Sequence, residues 1–572
     1  MNSHIDRIGP FEYRRYQPAL PLLENGHEQQ PHPVVIVGGG PVGLCVALGL
    51  ARQGVRSVVI EADDSVCEGS RAACISRRSL EILERLGAVE PFLRKGLPWT
   101  TGHSYYREQR VLSFSMPHDA AQKYPPIINL QQYYIEQYLL EAIEQCNTMQ
   151  PGMIDIRWAS TATKLDAFPT GVSLQIENAL GSYQCQAQWL VACDGGQSFV
   201  RKTLGLELAG TGYEGRYVII DIELASTAPT ERRAWFDPPW WRGSTILMHR
   251  QPDNIWRIDY QLRPGEETEA ALSPTKVREF VQRHLDAIGE GHLPWKPVWT
   301  SVYRAGAMTL PSYRHDRVLF AGNAAHAMPI FGVRGLNSGF DDADNLAWKL
   351  AYVATQRAPA ALLDSYSSER IQAFHDNASC AMRSTEFMSP PSRGFDLMRE
   401  ASLSLAAAYP DIARLINPRQ TQAITYVQSP LSSIDDLYAT GPEAGAPLWE
   451  VLMQEGGPHL TDALDGRAFT ALVFDDSGTW VSTFEHALGL SPIPIRIVGV
   501  AQQPSQSSNG AYLPDPRRAL STAYGAQEGS VYLVRPDGHV AGRWHKPAPD
   551  TVLLAVHKAC GEPNICTLEL TK

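Results

Sequence analysis

The segment VVIVGGGPVGLCVALGLARQGVRSVVIEA, residues 34–62, decides the fold of the first part of the chain. It predicts a buried strand, a glycine-rich turn, a helix and a second strand that ends at Glu61. Gly38 permits the tight turn, Gly40 lets the backbone approach a pyrophosphate, and Gly43 lets the helix pack on the sheet. Because N–H groups at the start of a helix attract phosphate, the segment predicts a dinucleotide-binding unit.

The acidic residue at the end of the second strand strengthens this prediction. A carboxylate at Glu61 can accept hydrogen bonds from ribose hydroxyls, which both NAD and FAD carry. Pro41, Val42 and Ala62 lie beside these positions and are predicted to contact the same dinucleotide. The first motif alone therefore does not choose between NAD and FAD.

The whole chain has the composition of an ordinary globular protein. It has 572 residues, of which 44% are hydrophobic and 19% charged, and its formal net charge is -11. This charge argues against a general nucleic-acid partner, and no apolar run reaches the ~18 residues of a membrane span. The nine cysteines include no CxxC pair, which predicts reduced thiols, no metal site and a cytoplasmic location.

The pattern of the chain changes several times after its first α/β unit. Residues 1–32 are polar and are predicted to form a surface extension outside the core. Between 215 and 262, apolar and polar residues alternate with period two, as in half-buried antiparallel strands. The α/β pattern returns at RVLFAGNAAH, residues 317–326, and a helix is predicted to begin near Asn337. Another α/β-like unit follows from about Pro447.

Two later motifs choose the cofactor. The first is DGGQSFVR at 194–201, and the second is GNAAH at 322–326 with its continuation MPIFGVRGLNSG at 328–339. Together with 38–43 they resemble the three fingerprints of the single-component (class A) FAD-dependent aromatic hydroxylases. Within that family the chain is similar to the branch of phenol hydroxylase and 3-(3-hydroxyphenyl)propionate hydroxylase. The resemblance covers about residues 34–360 and, more weakly, the C-terminal unit.

This resemblance implies an α/β fold (α+β overall) with three parts. A Rossmann-like FAD-binding domain is expected at 33–205 and 305–400, with an inserted mixed β-sheet substrate domain at 206–304. A helical linker at 401–440 leads to a thioredoxin-like domain at 441–572. Because the last domain lacks CxxC, we expect it to serve packing or self-association, as in a homodimer, and not redox chemistry.

The resemblance also implies which residues bind FAD. Arg71 matches an early arginine that contacts FAD, and Gln132 matches a flavin-contacting glutamine, with Gln131 as the competing assignment. Asp194 matches an acid beside both FAD and the passing nicotinamide, although a local helix cap by Asp194 or Ser198 is the alternative. The third motif adds the predicted contacts Gly322, Asn323, Pro329, Gly335, Leu336 and Asn337.

The glycine-rich run 332–339 enters a helix, so its N–H groups form a positive pocket for the N1–O2 edge of a reduced isoalloxazine. Pro329 matches a residue that lines the oxygen-reacting face and is therefore a predicted catalytic position. Asn323 stands where the family usually has aspartate. The asparagine keeps an acceptor oxygen but loses the negative charge. Arg334 replaces a frequent glutamine and changes the charge near the flavin.

Aromatic residues of the inserted sheet are the candidate walls of a substrate pocket. Packing on the sheet is their simplest interpretation, but aromatics that face a flavin would also stack on a planar substrate. The predicted pocket residues are Trp235, Phe236 and Arg250, while His249 or Tyr260 could remove a phenolic proton. Strand alternation places His249 and Arg250 on opposite faces, so at most one of them points into the pocket.

The resemblance implies a monooxygenase that hydroxylates a phenolic or aromatic-acid ring. NAD(P)H would reduce FAD, O₂ would add to give a C4a-hydroperoxide, and the distal oxygen would pass to the ring. NADH and NADPH both stay open, because no second GxGxxG occurs between a strand and a helix. His326, in a Gly/Ala-rich turn, is predicted to be packed and hydrogen-bonded and not a general base.

Three alternatives use the same scaffold. A halogenase would be expected to carry a WxWxIP segment, which NIWRIDYQL at 254–262 does not match. An epoxidase acting on an alkene is harder to separate from a hydroxylase. A non-catalytic FAD-fold binding protein is disfavoured by Arg71, Asp194 and the complete flavin loop.

Overall fold

The computed structural model describes residues 11–119, 121–263, 265–413, 416, 422–503 and 511–562. Parts of all the predicted segments except 305–400 therefore lie outside the described residues. They are 1–10 of the N-terminal extension, 120 of the FAD-binding domain, 264 of the substrate domain, 414–415 and 417–421 of the linker, and 504–510 and 563–572 of the C-terminal domain.

The predicted strand at 34–37 lies in the middle of a ten-stranded sheet, here called the first sheet. Val34 to Val37 are all buried, because parallel strands covered on both faces need apolar side chains on both. The central strand pairs in parallel with Ser57–Ile60 and Gly181–Ala192. The strands of this sheet are Leu23–Glu24, His27–Glu28, His32–Val37, Ser57–Ile60, Ile154–Arg157, Thr161–Phe168, Gly171–Asn178, Gly181–Ala192, Arg314–His315 and Val318–Phe320.

Helices accompany the first sheet, and two of them pack very closely. Helix Pro41–Arg52 begins with proline, whose fixed φ suits a first helical position. A β-carbon added at Gly49 would lie 2.5 Å from Cβ of Ala347 on helix Gly335–Ala354, so glycine permits this contact. The other helices of this region are Arg77–Arg85, Val89–Lys95, Gln132–Met149, Phe199–Thr203 and Leu362–Met388, and a three-stranded sheet of Cys74–Ser76, Leu97–Trp99 and Ile127–Asn129 lies beside them.

Two aromatic residues of the N-terminal extension reach the core. Phe11 and Tyr13 are only 6% and 4% exposed and lie in the same hydrophobic cluster as the central strand. Tyr16 stacks on Trp158 with 4.3 Å between ring centroids, and a hairpin at 23–28 extends the sheet. The expectation of an extension outside the core is wrong for Phe11 and Tyr13, because burial of large aromatic side chains is favourable, while the rest of 14–32 is half-buried or exposed as expected.

An eight-stranded mixed sheet, here called the second sheet, carries the predicted alternating segments. Strand Arg232–Phe236 pairs in parallel with Thr101–Tyr106, while the other pairs are antiparallel. Helix Pro274–Ala287 covers one face, where its Phe280 and Leu285 are fully buried. The strands, in spatial order, are His326–Ala327, Trp295–Thr309, Ala209–Leu224, Ile255–Gln261, Thr245–Arg250, Arg232–Phe236, Thr101–Tyr106 and Gln109–Ser115.

The second sheet does not follow the predicted boundaries of the insert. Strands Thr101–Tyr106 and Gln109–Ser115 come from the segment 33–205, which was expected to lie wholly in the FAD-binding domain. Strand Trp295–Thr309 also continues beyond residue 304. Strands belong to one sheet because they hydrogen-bond to each other, even when they are distant in the chain. The period-two pattern predicts that a segment is a strand, but it does not predict which strands it pairs with.

The C-terminal unit is a five-stranded sheet with helices on both faces, and its thioredoxin-like identity stays a prediction. Helices Thr479–Leu488 and Pro549–Ala559 share one hydrophobic cluster with the sheet, and helix Ala519–Ala523 belongs to the cluster on the other face. The strands are Ala511–Pro514, Ile495–Ala501, Phe469–Phe474, Ser530–Val534 and Val540–His545. Helices Arg393–Ala408 and Pro410–Ala413 precede this unit, and no described helix is long and apolar enough to cross a membrane.

A buried ion network joins the C-terminal unit to the first part of the chain. Arg535 donates to both carboxylate oxygens of Glu369, at 2.6 and 3.0 Å, and also pairs with Asp537. Lys349 donates to Glu369 at 2.7 Å, and the Trp348 indole donates to Asp537 at 3.1 Å. Two acids therefore face two cations, and the buried charges are compensated.

Replacing Arg535 by methionine is expected to lower the apparent free energy of unfolding by about 3–5 kcal/mol, because Glu369 and Asp537 then share one buried cation. Urea denaturation followed by circular dichroism measures this loss. Arg518→Met is the matched control in the same unit, since Arg518 pairs with Asp476 at the surface and its loss should cost at most about 1 kcal/mol. Equal losses in the two variants would contradict a stabilising role of the buried network.

Candidate cofactor and substrate site

The three predicted motifs meet at the carboxyl ends of the parallel strands. A β-carbon added at Gly38, whose φ is +104°, would lie 2.4 Å from the carbonyl oxygen of Cys193. Such carbons at Gly322 and Gly339 would lie 3.0 and 2.6 Å from a methyl group of Val42. Glycine is therefore required where the motifs touch, and the contacts place the motifs at the edge where α/β sheets bind ligands.

The first motif has room for a ligand above its turn. A β-carbon added at Gly40 would meet no atom within 4 Å, so this backbone borders open space. The Glu61 carboxylate accepts hydrogen bonds from the N–H groups of Gly39 at 2.5 Å and Asp63 at 2.8 Å. Burial raises the pKa of Glu61. A carboxylate has acceptor capacity beyond two bonds, so Glu61 can still receive a ribose hydroxyl, beside the exposed Ala62.

The second motif combines local capping with an unused acceptor. Asp194 Oδ2 accepts from the N–H of Val200 at 3.1 Å, and Ser198 Oγ accepts from the N–H of Arg201 at 3.0 Å, so both side chains are caps. Asp194 Oδ1 is buried and has no hydrogen-bond partner in the described part of the chain. Buried polar atoms are almost always paired in folded proteins, so this oxygen fits a bound donor.

Arg201 connects the second motif to the third. Its guanidinium donates to the carbonyl oxygens of Ala324 at 2.9 Å and Gly196 at 2.6 Å. The arginine at this position therefore acts within the protein, where it holds the two turns together.

The third motif presents the start of a long helix. Gly332 and Val333 both have positive φ, +85° and +53°, and such a backbone is strained for a β-branched residue. The helix begins at Gly335, two residues before the predicted start at Asn337. The first N–H groups of a helix have no acceptor within it, so those of Gly335, Leu336 and Asn337 provide the positive end that a flavin anion requires.

The side chain of Asn337 is fully engaged within the protein. Its Oδ1 accepts from the N–H of Ser76 at 2.9 Å and from the hydroxyl of Ser79 at 2.7 Å. Its Nδ2 donates to the carbonyl oxygens of Cys74 at 3.1 Å and Val333 at 2.5 Å. Only the backbone of Asn337 can therefore contact a cofactor, while its side chain fixes the loop.

The Asp342 carboxylate holds the turn that contains Gly322 and His326. It accepts from the Gly322 N–H at 3.0 Å, from His326 at 2.7 Å and from Arg370 at 2.7 Å. Burial alone would raise the pKa of Asp342, but His326 and Arg370 together lower it to about 2. His326 is packed and hydrogen-bonded, as predicted, and Asn323 is exposed on the same turn.

The remaining predicted FAD contacts lie on a loop beside the second sheet. The Arg71 side chain is exposed, and its carbonyl oxygen accepts from Arg257 at 2.7 Å. Gln132 accepts from the N–H of Ala72 at 3.2 Å, next to Arg71, whereas Gln131 is buried and donates to the carbonyl of Pro252. Of the two glutamines, Gln132 is therefore the one beside the predicted cofactor loop.

A cavity of about 290 Å³ adjoins the glycine-rich loop at Gly332. It lies between that loop, helix Leu362–Met388 and the face of the second sheet opposite helix Pro274–Ala287. Its wall includes the aromatic residues Phe114, Phe236, Phe331 and Phe387 and the basic residues His103, Arg232 and Arg383. A larger open groove of about 610 Å³ around Trp189 and Arg357 contains no residue of the three motifs, so the smaller cavity is the candidate substrate site.

Three predicted pocket residues face away from this cavity. Trp235 packs on His284 with ring centroids 4.9 Å apart, and Tyr260 packs on Phe280 at 4.1 Å, both against the covering helix. Arg250 donates to Asn254 at 3.0 Å. The predictions for Trp235, Tyr260 and Arg250 are wrong, because the period of two turns these positions toward the helix-covered face.

Two predicted residues lie on the cavity face, together with several unpredicted ones. Phe236 lines the cavity, and His249 shares the face of Leu247 but does not reach the cavity wall. Burial lowers the pKa of His249, and the neighbouring Arg257 and Arg232 lower it further. Sequence reasoning missed Arg232, although period two places it on the face of Phe236. The side chains that helix Leu362–Met388 contributes to the wall had no signal in the sequence.

The parallel sheet, the three motifs that meet at its carboxyl edge and the start of helix Gly335–Ala354 together define a dinucleotide-binding flavoprotein. A family model described as "FAD binding domain" matches residues 32–379. The chain therefore belongs to this family, FAD is its cofactor, and the predicted family and cofactor are confirmed.

Relatives and solved structures agree with this assignment. The chain is 26% identical over 528 residues to a 3-(3-hydroxy-phenyl)propionate/3-hydroxycinnamic acid hydroxylase of Mycolicibacterium smegmatis, covering 89% of this chain and 90% of the relative. The same identity over 524 residues relates it to the hydroxylase of that name from Escherichia coli O139:H28, covering 89% and 91%.

Two solved structures share the fold. One is the flavin-dependent monooxygenase PieE in complex with FAD and substrate, with a TM-score of 0.76, 22% identity, and 94% and 100% of the two chains covered. The other is aklavinone-11 hydroxylase with FAD and aklavinone, with a TM-score of 0.74, 24% identity, and 93% and 100% covered. The overall α/β architecture predicted from the sequence is thus confirmed.

Gly40→Ala is expected to weaken FAD binding about 10- to 100-fold while the protein stays folded, because the added methyl group fills open space that a pyrophosphate would approach. Titration of the apoprotein with FAD, followed by flavin fluorescence, measures the affinity. Gly212→Ala is the control, since Gly212 also borders open space but lies on a strand of the second sheet. Unchanged affinity in Gly40→Ala would contradict cofactor binding at this turn.

Proposed function

We propose that this flavoprotein is a monooxygenase that uses NAD(P)H and O₂ to hydroxylate a phenolic or aromatic-acid ring. The observation that carries the proposal is the cavity with four phenylalanines beside the Gly332 loop of an FAD-binding domain. The relatives named above, which are hydroxylases of 3-(3-hydroxy-phenyl)propionate and 3-hydroxycinnamic acid, support it. When bound, FAD supplies the activation of O₂ with electrons from NAD(P)H.

The protein's own residues would bind and orient the cofactor. Open space at Gly40, the unpaired oxygen of Asp194 and the helix start at Gly335 support this assignment. The residues proposed to hold FAD are Gly38, Gly40, Pro41, Val42, Gly43, Glu61, Ala62, Arg71, Gln132, Asp194, Gly322, Asn323, Pro329, Gly335, Leu336 and Asn337.

The second task of the protein is to hold an aromatic ring at the flavin and to exclude water. The phenylalanine side chains would stack on a planar ring and keep the space apolar. Buried Pro329 is proposed to line the reacting face. His249 stays a prediction as the acceptor of a phenolic proton, supported by its position on the cavity side of the sheet.

The division of labour among the parts of the chain is also a proposal. The first sheet would form the FAD-binding domain, and the second sheet, including 101–115, would form the substrate domain. The C-terminal unit would serve packing, with a homodimer as a prediction for light scattering. A cytoplasmic location is proposed from the eight described cysteines, all of which are free thiols.

The purified protein is expected to be yellow and to oxidise NADH or NADPH faster when a phenol or hydroxylated aromatic acid is added. The substrates to compare are hydroxylated benzoates, phenylpropionates and phenols, with isotopically labelled O₂ to trace oxygen into the product. A hydroxylated ring that carries one labelled oxygen is the expected product. Protein that cannot be reconstituted with FAD, or an epoxide in place of a hydroxylated ring, would refute the proposed reaction.

A further inference from the structure

Arg232 is a half-buried cation at the wall of the cavity. Its side chain lies on the same face of strand Arg232–Phe236 as Ala234 and Phe236, and all three line the cavity. Among the described residues, its guanidinium has no hydrogen bond and no ion pair. Burial lowers its pKa. A ligand that fills the cavity would displace water from this guanidinium, and a charge removed from water is costly unless it is paired, so an anionic ligand is favoured.

The charged groups around Arg232 do not neutralise it. Asp221 is already paired with Arg257, with 2.9 Å between Oδ1 and Nε. Burial raises the pKa of Asp259 to about 7, so this carboxyl is only partly charged near neutrality. His249 lies directly opposite Arg232 in the sheet register and is held neutral by a depressed pKa. The local field is therefore positive, which favours an anion.

The rest of the cavity wall is uncharged or basic. No Asp or Glu is among its described lining residues, while Arg383 is exposed and also lines it. Strand geometry separates Arg232 from Phe236 by about 13 Å along the chain. A ligand with its anionic end at Arg232 would therefore direct its aromatic body along the strand toward Phe236 and Phe331.

We propose that Arg232 is the specificity-determining residue of this cavity and binds the carboxylate of an aromatic-acid substrate. The inference rests on the proposed function and narrows its substrate to acids. A guanidinium can bind a carboxylate with two parallel hydrogen bonds, which compensates both buried charges and fixes the direction of the ligand. The ring then lies among the phenylalanines, toward Gly332 and the proposed flavin site.

Matched pairs of acids and amides test this proposal, because the amide keeps the shape of the acid and loses its charge. The probes are benzoate with benzamide and 3-phenylpropionate with 3-phenylpropionamide, each with its ring-hydroxylated form. Binding to the oxidised holoenzyme is measured by the change in flavin absorption. The wild type is expected to bind an acid at least about 10-fold more tightly than its amide.

Arg232→Gln is expected to weaken acid binding about 10- to 100-fold and to leave amide binding nearly unchanged. Arg232→Lys keeps the charge but not the paired donors, and should restore part of the preference. Arg233→Gln is the matched control, because Arg233 lies on the opposite face and donates to Glu231 at 2.7 Å. Its ratio of acid to amide affinity should equal that of the wild type.

Three results would overturn the proposal. The first is equal binding of acids and amides by the wild type, which needs no variant to fold. The second is the absence of binding by every acid tested. The third is an equal loss for acid and amide in Arg232→Gln together with a shifted flavin potential, which would assign the cation to the cofactor. Selective acid binding without hydroxylation would instead refute the proposed reaction and leave the role of Arg232 intact.

Discussion

The buried carboxylate of Asp342 is the interaction on which the rest of the site depends. It receives the N–H of Gly322, the ring of His326 and the guanidinium of Arg370, so one side chain fixes the turn of the third motif. Arg370 also donates to the carbonyl of Ser338 in the first turn of helix Gly335–Ala354. The direction of that helix start, and hence of its free N–H groups, is thus set by a charge pair that water cannot screen.

The same network explains the place of the C-terminal unit. Glu369 is the neighbour of Arg370 on one helix, and its carboxylate is held by Arg535 from the last sheet and by Lys349. Two adjacent residues therefore connect the C-terminal sheet and the flavin loop. A unit that lacks CxxC can still matter to the cofactor, because it keeps the charges behind the loop in balance.

The sequence predicts some of these features well and others poorly, for a physical reason. The glycine requirements at Gly38 and Gly43 are local, so a short motif reveals them. The burial of Phe11 and the pairing of strand Thr101–Tyr106 with Arg232–Phe236 depend on distant segments. Alternation with period two predicts the two faces of a strand, but the sequence of one strand does not indicate which strands lie beside it.

The candidate pocket shows how much depends on choosing the right face. Trp235 and Tyr260 have suitable chemistry for an aromatic substrate, yet helix Pro274–Ala287 needs an apolar surface and packs on their face. Once that face is covered, the other one remains for the cavity, and Phe236 and Arg232 lie there together. The amphipathic helix after the strands therefore carries information about the pocket: its apolar face selects the residues that cannot bind substrate. Arg232 lies two side-chain alternations from Phe236 and therefore on the cavity face, where a ligand that displaces water from its guanidinium must itself supply a negative charge.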